Sequence, residues 1–129
     1  MRPELLTNTT DHAVGTGSDD RSGAVWCLEP AARDLDANII ALPPHGTIEQ
    51  HTGPALDVLL HVVSGGGVLT SGEERITLVP GAVVWLPRHT ERQFVAGDVG
   101  LRYLSVHARR HDALSITARP AEPASRVTP

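Results

Sequence analysis

At 129 residues the chain is long enough to build one hydrophobic core and too short to build two. Its formal net charge of -4 and isoelectric point near 5.9 exclude the basic surface that nucleic-acid binding requires. Cys27 is the only cysteine, which excludes a disulfide framework. No apolar run approaches the ~18 residues of a membrane span, and the first residues lack the apolar stretch of a secretory signal. We therefore expect a cytoplasmic protein whose partners are neither nucleic acid nor membrane.

The two ends of the chain contain little that a core could bury. Residues 7–23 are rich in Thr, Asp, Gly and Ser, and residues 119–129 contain three prolines. Segments of this composition cannot offset the entropy lost on ordering. We predict a flexible polar arm over residues 1–23, ordered only where it lies on the folded body. We place that body at residues 24–117 and a disordered, proline-rich tail at residues 118–129.

Between the ends, the sequence predicts strands and turns in chain order. The predicted strands are short, rich in Val, Ile and Leu, and mostly separated by Gly or Pro. Glu29–Leu35 alone is compatible with a helical turn, because Pro30 stands where a first-turn proline is tolerated. The predicted strands are Ala24–Leu28, Ala37–Leu42, Asp57–Val63, Val68–Thr70, Arg75–Leu78, Val83–Leu86, Gln93–Ala96 and Leu101–Ala108.

Strands this short and closely spaced indicate a small antiparallel sandwich or barrel. Ser71-Gly72 is typical of a hairpin turn, and Gly65–Gly67 can supply the positive φ angles of a sharp change in direction. Apolar character is nearly continuous in Val58–Val63, apart from His61, and unbroken in Val83–Leu86. Both faces of these strands should then be buried, as in a barrel wall that also packs on another sheet or subunit.

One segment carries the residue types of a chemical site. Glu49 and His51 precede the strand that begins near Asp57 and contains His61. Carboxylates and imidazoles bind divalent metals and transfer protons, so this segment predicts either a metal site or an acid/base site.

A second segment has a regular spacing. Gly81 and Pro87 are separated by five residues, His89 follows two beyond the proline, and Arg92 follows three beyond His89. Apart from two substitutions, this spacing resembles the second motif of the cupins, which reads glycine, five residues, proline, a glycine two beyond it and a histidine three beyond that. Arg92 stands at the histidine position. The first cupin motif contains two histidines one residue apart and a glutamate a few positions on. His51 stands at the position of the second of these histidines.

The resemblance implies an all-β fold, the double-stranded β-helix or jelly-roll barrel of RmlC-like cupins. It also implies that three histidines and a glutamate hold a divalent metal such as Fe, Mn, Ni or Zn inside the barrel. In this chain the motifs are degenerate, since Glu49 stands where the first histidine is expected and Arg92 where the last one is. The resemblance further implies a homodimer, formed through strand edges and apolar outer faces.

Whether the side chain of Asp57 faces the barrel interior depends on the strand register, because a shift of one residue turns it to the opposite face. Asp57 is the natural substitute for the cupin glutamate, but counting back from Gly65 by the family spacing arrives at Val58. If that count holds, Val58 faces the interior and both Asp57 and His61 face away. If a bulge absorbs one residue, Asp57 and His61 face inward beside His51.

In the first of three interpretations, the chain is a metal-dependent cupin enzyme of the dioxygenase, isomerase or cyclase type. Glu49, His51 and Asp57 would be the ligands, with help from His61 or His107. Arg92 argues against this interpretation because a guanidinium offers no lone pair and repels a cation.

In the second interpretation, Arg92 replaces the metal as the local positive charge. Glu49 and Asp57 would pair with it, and the barrel would bind a small polar or anionic metabolite. Trp85 would line the pocket, and His51 would be the acid/base catalyst if the pocket is catalytic.

In the third interpretation, the same residues form a satisfied ionic network and the chain is a non-catalytic dimerising or regulatory module. We favour the second interpretation, a small-molecule barrel with a degenerate metal site.

Overall fold

The computed structural model describes residues 2–15 and 20–110. A short 3-10 helix, Thr9–His12, precedes the strands, and none of the described helical segments is long and apolar enough to cross a membrane. The strands are β1 (Gly23–Cys27), β2 (Leu35–Leu42), β3 (Thr47–Thr52), β4 (Val58–Ser71), β5 (Glu74–Leu78), β6 (Val83–Leu86) and β7 (Glu91–Ala108).

The predicted strand positions are confirmed with three differences. Residues 28–34 contain bends and no helical turn, so the helical prediction for Glu29–Leu35 was wrong. The strand β3 was missed because Ile48 is its only large apolar residue; pairing with β7 makes it a strand. Four predicted strands merge in pairs into β4 and β7, because the glycines between them bend the backbone without ending the ladder.

All seven strands belong to one antiparallel sheet that folds over on itself where β4 and β7 bend. At the bend Gly65 has φ 74° and Gly100 has φ 89°, and the β4–β7 register shifts nearby. Such left-handed backbone favours glycine, and here a Cβ on Gly65 would also overlap the carbonyl of Gly100. The glycine run therefore makes the bend that the sequence predicted.

The bend divides the sheet into two layers that face each other. Layer I contains β1, β2, the second half of β7, the first half of β4, and β6. Layer II contains β3, the first half of β7, the second half of β4, and β5. The rings of Phe94 in layer II and Tyr103 in layer I stack with centroids 5.0 Å apart and planes within 7°. The two halves of β7 thus meet across the interior of an all-β barrel, as predicted.

Buried apolar side chains from both layers form one core. Layer I contributes the alternate positions Val58, Leu60 and Val62 of β4, as the count from Gly65 predicted. The other members are Ile40, Leu42, Leu69, Leu78, Val84, Leu86, Phe94, Ala96, Leu101 and Tyr103.

The described part of the N-terminal arm lies on layer I near the bend. The amide of Val14 donates to Ser64 Oγ at 2.7 Å, and Arg102 Nη1 donates to the carbonyl of His12 at 3.0 Å. These contacts agree with an arm that is ordered where it lies on the barrel. The flexibility of residues 1–23 stays a prediction. The tail at 118–129 and the predicted end of the body at Thr117 lie outside the described residues.

Candidate functional site

Arg92 is a fully buried cation near one end of the barrel. It lies on the inner face of layer II, directly across from His51 of β3. Its Nε donates to the carbonyl of Thr90 at 3.3 Å, whereas Nη1 and Nη2 are buried and make no hydrogen bond to any residue that the structure describes. A Cβ on Gly53 would overlap the guanidinium, so the glycine provides the space for it. Arg92 thus directs two donors without partners into the interior.

The carboxylates that were expected to pair with Arg92 do not do so. Glu49 is exposed on β3, and Asp57 is exposed where its Oδ1 accepts from the backbone amide of Arg88 at 3.0 Å and from Arg88 Nε at 3.4 Å. These contacts, the backbone hydrogen bond above all, lower the pKa of Asp57. The prediction that Glu49 and Asp57 neutralise Arg92 was therefore wrong, because Asp57 is held at the rim by a nearer arginine.

The electrostatic setting of Arg92 is that of a desolvated charge. Burial lowers the pKa of Arg92 below its ordinary value, and the neighbouring Tyr103 works weakly in the opposite direction. An arginine side chain stays protonated in proteins even so. Desolvation strengthens its attraction for any anion that reaches it.

His51 is the second polar group of this region. Its Nδ1 lies 2.9 Å from the carbonyl oxygen of Glu49, and since a carbonyl only accepts, Nδ1 carries the proton. In the neutral ring Nε2 then has a free lone pair, and Nε2 is buried without a hydrogen-bond partner in residues 2–15 and 20–110. Directly paired strand residues share a face, so the imidazole lies on the same inner face as Arg92.

Layer I supplies hydroxyl groups opposite Arg92. Tyr103 and Ser105 are fully buried on the inner face of β7, and within the described part of the chain neither hydroxyl has a hydrogen-bond partner. Phe94 stacks on Tyr103 across the interior. Arg92 precedes Phe94 by two residues and Ser105 follows Tyr103 by two residues, so both lie on the inner face, one step farther from the bend and at the same level. Asn38 of β2 pairs with Ser105 in register and belongs to the same level.

We call this set the polar layer of the barrel: Asn38, His51, Arg92, Tyr103 and Ser105. Burial raises the pKa of the Tyr103 phenol, and Arg92 only partly opposes that effect. The hydroxyl is therefore a neutral donor and acceptor over the whole physiological range. Four members of the layer, His51, Arg92, Tyr103 and Ser105, have buried polar atoms without a partner among the described residues, and such atoms are rare in proteins and call for a water or a ligand.

Three other predicted site residues lie outside this layer. His61 is half-buried on the outer face of β4, since Leu60 and Val62 take the inner face. Trp85 is 63% exposed on the outer face of β6, so the expectation that it lines the pocket was wrong. His107 shares the inner face of Ser105 but lies one step nearer the barrel end, and its Nδ1 contacts the carbonyl of Ala108 at 2.9 Å.

The donor set does not fit the divalent metal that the resemblance implies. Within the described residues, which include all five candidate ligands, no three His, Cys, Asp or Glu side chains come together as a metal site. Arg92 takes the inner-face position beside His51, where a further ligand would be needed. The candidate ligands of the first interpretation, Glu49, His51, Asp57, His61 and His107, therefore do not come together in this arrangement.

Comparisons with known proteins agree on the fold. No protein-family model matches the sequence, and no curated protein matches it either. A conserved protein of unknown function from Streptococcus pyogenes superposes with TM-score 0.65 at 17% identity, covering 87% of this chain and 93% of that one. A cupin-2 domain protein from Shewanella frigidimarina gives TM-score 0.61 at 17% identity, covering 81% and 95%. A cupin 2 conserved barrel protein from Rhodopseudomonas palustris gives 0.60 at 19%, covering 67% and 60%. By its fold, this chain is a cupin barrel.

Proposed function

We propose that the protein binds a small organic anion in the barrel, with the guanidinium of Arg92 as its anchor. The observation that carries this proposal is that Nη1 and Nη2 are buried without partners among the described residues. A guanidinium presents two parallel N–H groups that match the two oxygens of a carboxylate. A bound carboxylate would neutralise the charge and satisfy both donors at once.

The surroundings of Arg92 favour a carboxylate over a phosphate. The polar layer contains one cation, and no helix N-terminus faces it, because the only described helix lies on the outside of layer I. A doubly charged phosphate needs more positive charge or more backbone donors than this. A singly charged carboxylate matches the one guanidinium.

The polar layer also limits the rest of the ligand. The hydroxyls of Tyr103 and Ser105 can each donate and accept. A hydroxyl or carbonyl oxygen next to the carboxylate would satisfy them, whereas an apolar substituent would leave them unpaired. The walls beside them, Leu60 and Val84 among them, are apolar and offer no further polar partner to a ligand. Small hydroxy and oxo acids fit this description best.

His51 gives the site an acid/base group. Its Nε2 lone pair lies on the face of Arg92 and can accept a proton from a ligand held there. Binding is the function we propose, and proton transfer by His51 is the chemistry that the site would add. The metal-dependent enzyme is not favoured, since the donor set does not converge.

The test is a titration of the full chain with acetate, glycolate, pyruvate, inorganic phosphate and neutral acetamide, followed by calorimetry and thermal unfolding. Glycolate or pyruvate should bind more tightly than acetate, and acetamide should not bind. Arg92→Met should abolish binding. Arg75→Met is the matched control because Arg75 is exposed on β5. Equal binding by acetamide, or retained carboxylate binding in Arg92→Met, would contradict the proposal.

A further inference from the structure

The strand β1 forms one edge of the sheet and leaves its outer side open. It pairs with β2, and no other described segment pairs with it. Just beyond β1, the amide of Leu28 donates to the carbonyl of Ala37 on β2 at 2.9 Å. Backbone groups of successive residues in an antiparallel strand point to opposite sides, so the N–H and C=O of Cys27 point away from β2. Such groups are a ready template for one more strand.

The open edge is one wall of a groove, and the start of the N-terminal arm is the other wall. The groove has a volume of about 700 Å³, which lies within the ~300–1,000 Å³ range of ligand clefts. On the arm side Leu5 is 91% exposed and Leu6 is 45% exposed. The arm therefore borders the edge with apolar side chains and leaves it uncovered. The groove is lined by Glu4, Leu5, Leu6, Ala24, Val25, Trp26, Cys27, Glu29 and Pro30.

The charge of this groove has one sign. Glu4 and Glu29 are its two carboxylates, and none of the residues that line it is Lys or Arg. Both glutamates are exposed, and neither forms an ion pair within residues 2–15 and 20–110. The groove therefore attracts cationic groups and repels acidic ones.

From the open edge and its charge we infer that β1 binds an extended basic segment of another protein as an added strand. Main-chain hydrogen bonds to Cys27 would hold the segment, and its Lys or Arg side chains would pair with Glu4 and Glu29. Side chains of an added strand alternate between two faces, so apolar residues between the basic ones would pack on Leu5 and Leu6.

Two details of β1 limit where the segment lies. The β1–β2 register shifts between Ala24 and Trp26, so regular pairing is available at the end of β1 that contains Cys27. Glu29 follows Cys27 by two residues and places a carboxylate at the same end. A second copy of the chain is the less favourable occupant, because its own Glu4 and Glu29 would enter the groove and like charges repel.

Binding of the labelled peptide acetyl-Lys-Val-Lys-Val-Lys-amide to the full chain, followed by fluorescence polarisation, tests the inference. Its dissociation constant should lie below ~1 mM and should rise with salt. The acidic analogue, with Glu in place of each Lys, should not bind. Glu4→Lys combined with Glu29→Lys should weaken binding at least tenfold. Glu73→Lys is the matched control and should stay within twofold, because Glu73 is exposed in the hairpin between β4 and β5.

Cys27→Pro tests the backbone pairing. Proline removes the outward N–H and keeps the hydrogen bonds to β2, so the strand circular-dichroism signal should remain and peptide affinity should fall at least tenfold. A second measurement needs no variant: of two peptides N-methylated at the lysines or at the valines, one should bind and the other should not, because only alternate amides face β1.

Three results would overturn the inference. The first is a dissociation constant above ~1 mM for the basic peptide, or equal binding of its acidic analogue. The second is retained binding in the double glutamate variant or in folded Cys27→Pro, or equal binding of both N-methylated peptides. The third is a wild-type dimer in sedimentation equilibrium that Cys27→Pro dissociates, which would assign the edge to a second copy.

Discussion

Replacing Arg92 with methionine should make the ligand-free protein more stable. Arg92 has two buried nitrogens without partners, and each unsatisfied buried group costs about 1–3 kcal/mol. Methionine has similar length and removes both, while losing the single hydrogen bond from Nε to Thr90, about 1–3 kcal/mol. With each effect taken at the middle of its range, the expected gain in the free energy of unfolding is about 2 kcal/mol, which lies within the range found when other buried charges are replaced by apolar residues.

The measurement is equilibrium unfolding in urea, in chloride buffers that contain no carboxylate or phosphate. For a chain of this length, each kcal/mol corresponds to a rise of about 3–5 °C in the melting temperature. Arg75→Met, on the exposed outer face, should stay within about 0.5 kcal/mol of wild type.

A loss of more than about 1 kcal/mol in Arg92→Met would refute this reasoning, since it would mean that the guanidinium stabilises the fold. Adding glycolate should reverse the ranking. Wild type would gain about 2.7 kcal/mol at a concentration 100 times its dissociation constant, and Arg92→Met would gain nothing. Such a crossing would identify Arg92 as a residue kept for binding at the expense of stability.

Three further predictions concern Tyr103, Gly53 and Asp57. Tyr103 is the only tyrosine, and burial raises its pKa, so the stability that its neutral phenol contributes is present below pH 10.0 and is lost as the pH rises further. The absorbance of tyrosinate should therefore appear only when the protein unfolds. A titration near pH 10.0 in the folded protein would show that the phenol is not buried. Gly53→Ala should displace the guanidinium and weaken glycolate binding at least tenfold, and unchanged affinity would place the anion elsewhere. Asp57 should titrate below 3.8 by NMR, so the folding stability that its carboxylate contributes is present above that pH and is lost as the pH falls through its folded pKa. Asp57→Asn should change the affinity for glycolate by less than twofold. A larger loss would mean that Asp57 takes part in binding the ligand.

Local alternation predicts the inner wall of the barrel once the register is fixed. The prediction that both faces of Val58–Val63 and Val83–Leu86 are buried was wrong for the single chain, since Leu59 is 47% exposed and Val83 and Trp85 are each 63% exposed. Val58 and Leu60 face inward and Leu59 faces outward because strand side chains alternate, and the apolar run of β6 follows the same rule. The sequence left the register of Asp57 open, and the structure decides it: Val58 is buried and pairs with Leu86, as the count from Gly65 requires, and Asp57 does not face inward. These features depend on residues close together in the chain, which is why a single sequence can reveal them.

The partner of each charge could not be predicted in the same way. Arg92 was expected to attract the nearest acidic residues of the first motif, but Arg88 lies closer to Asp57 and takes it at the rim. Glu49 lies on β3 near a register shift, which turns it to solvent while His51 stays beside Arg92. A bulge of this kind changes which side chains meet, and the residue types alone do not reveal it.

The place of the hydroxyls in the polar layer depends on residues that are far apart in the sequence and face each other in the fold. Ser105 and Tyr103 sit in an apolar strand whose pattern predicts core, and nothing local marks them as part of a site. They lie opposite Arg92 only because β7 bends between Ala96 and Leu101 and brings its two halves face to face. Once that bend is known, each inner residue of one half has a counterpart in the other. The chemistry then follows from the counterpart of Arg92, which is a hydroxyl-bearing serine and not a carboxylate. A cation opposite neutral hydroxyls still lacks a countercharge, and this is why we look for that charge on a ligand.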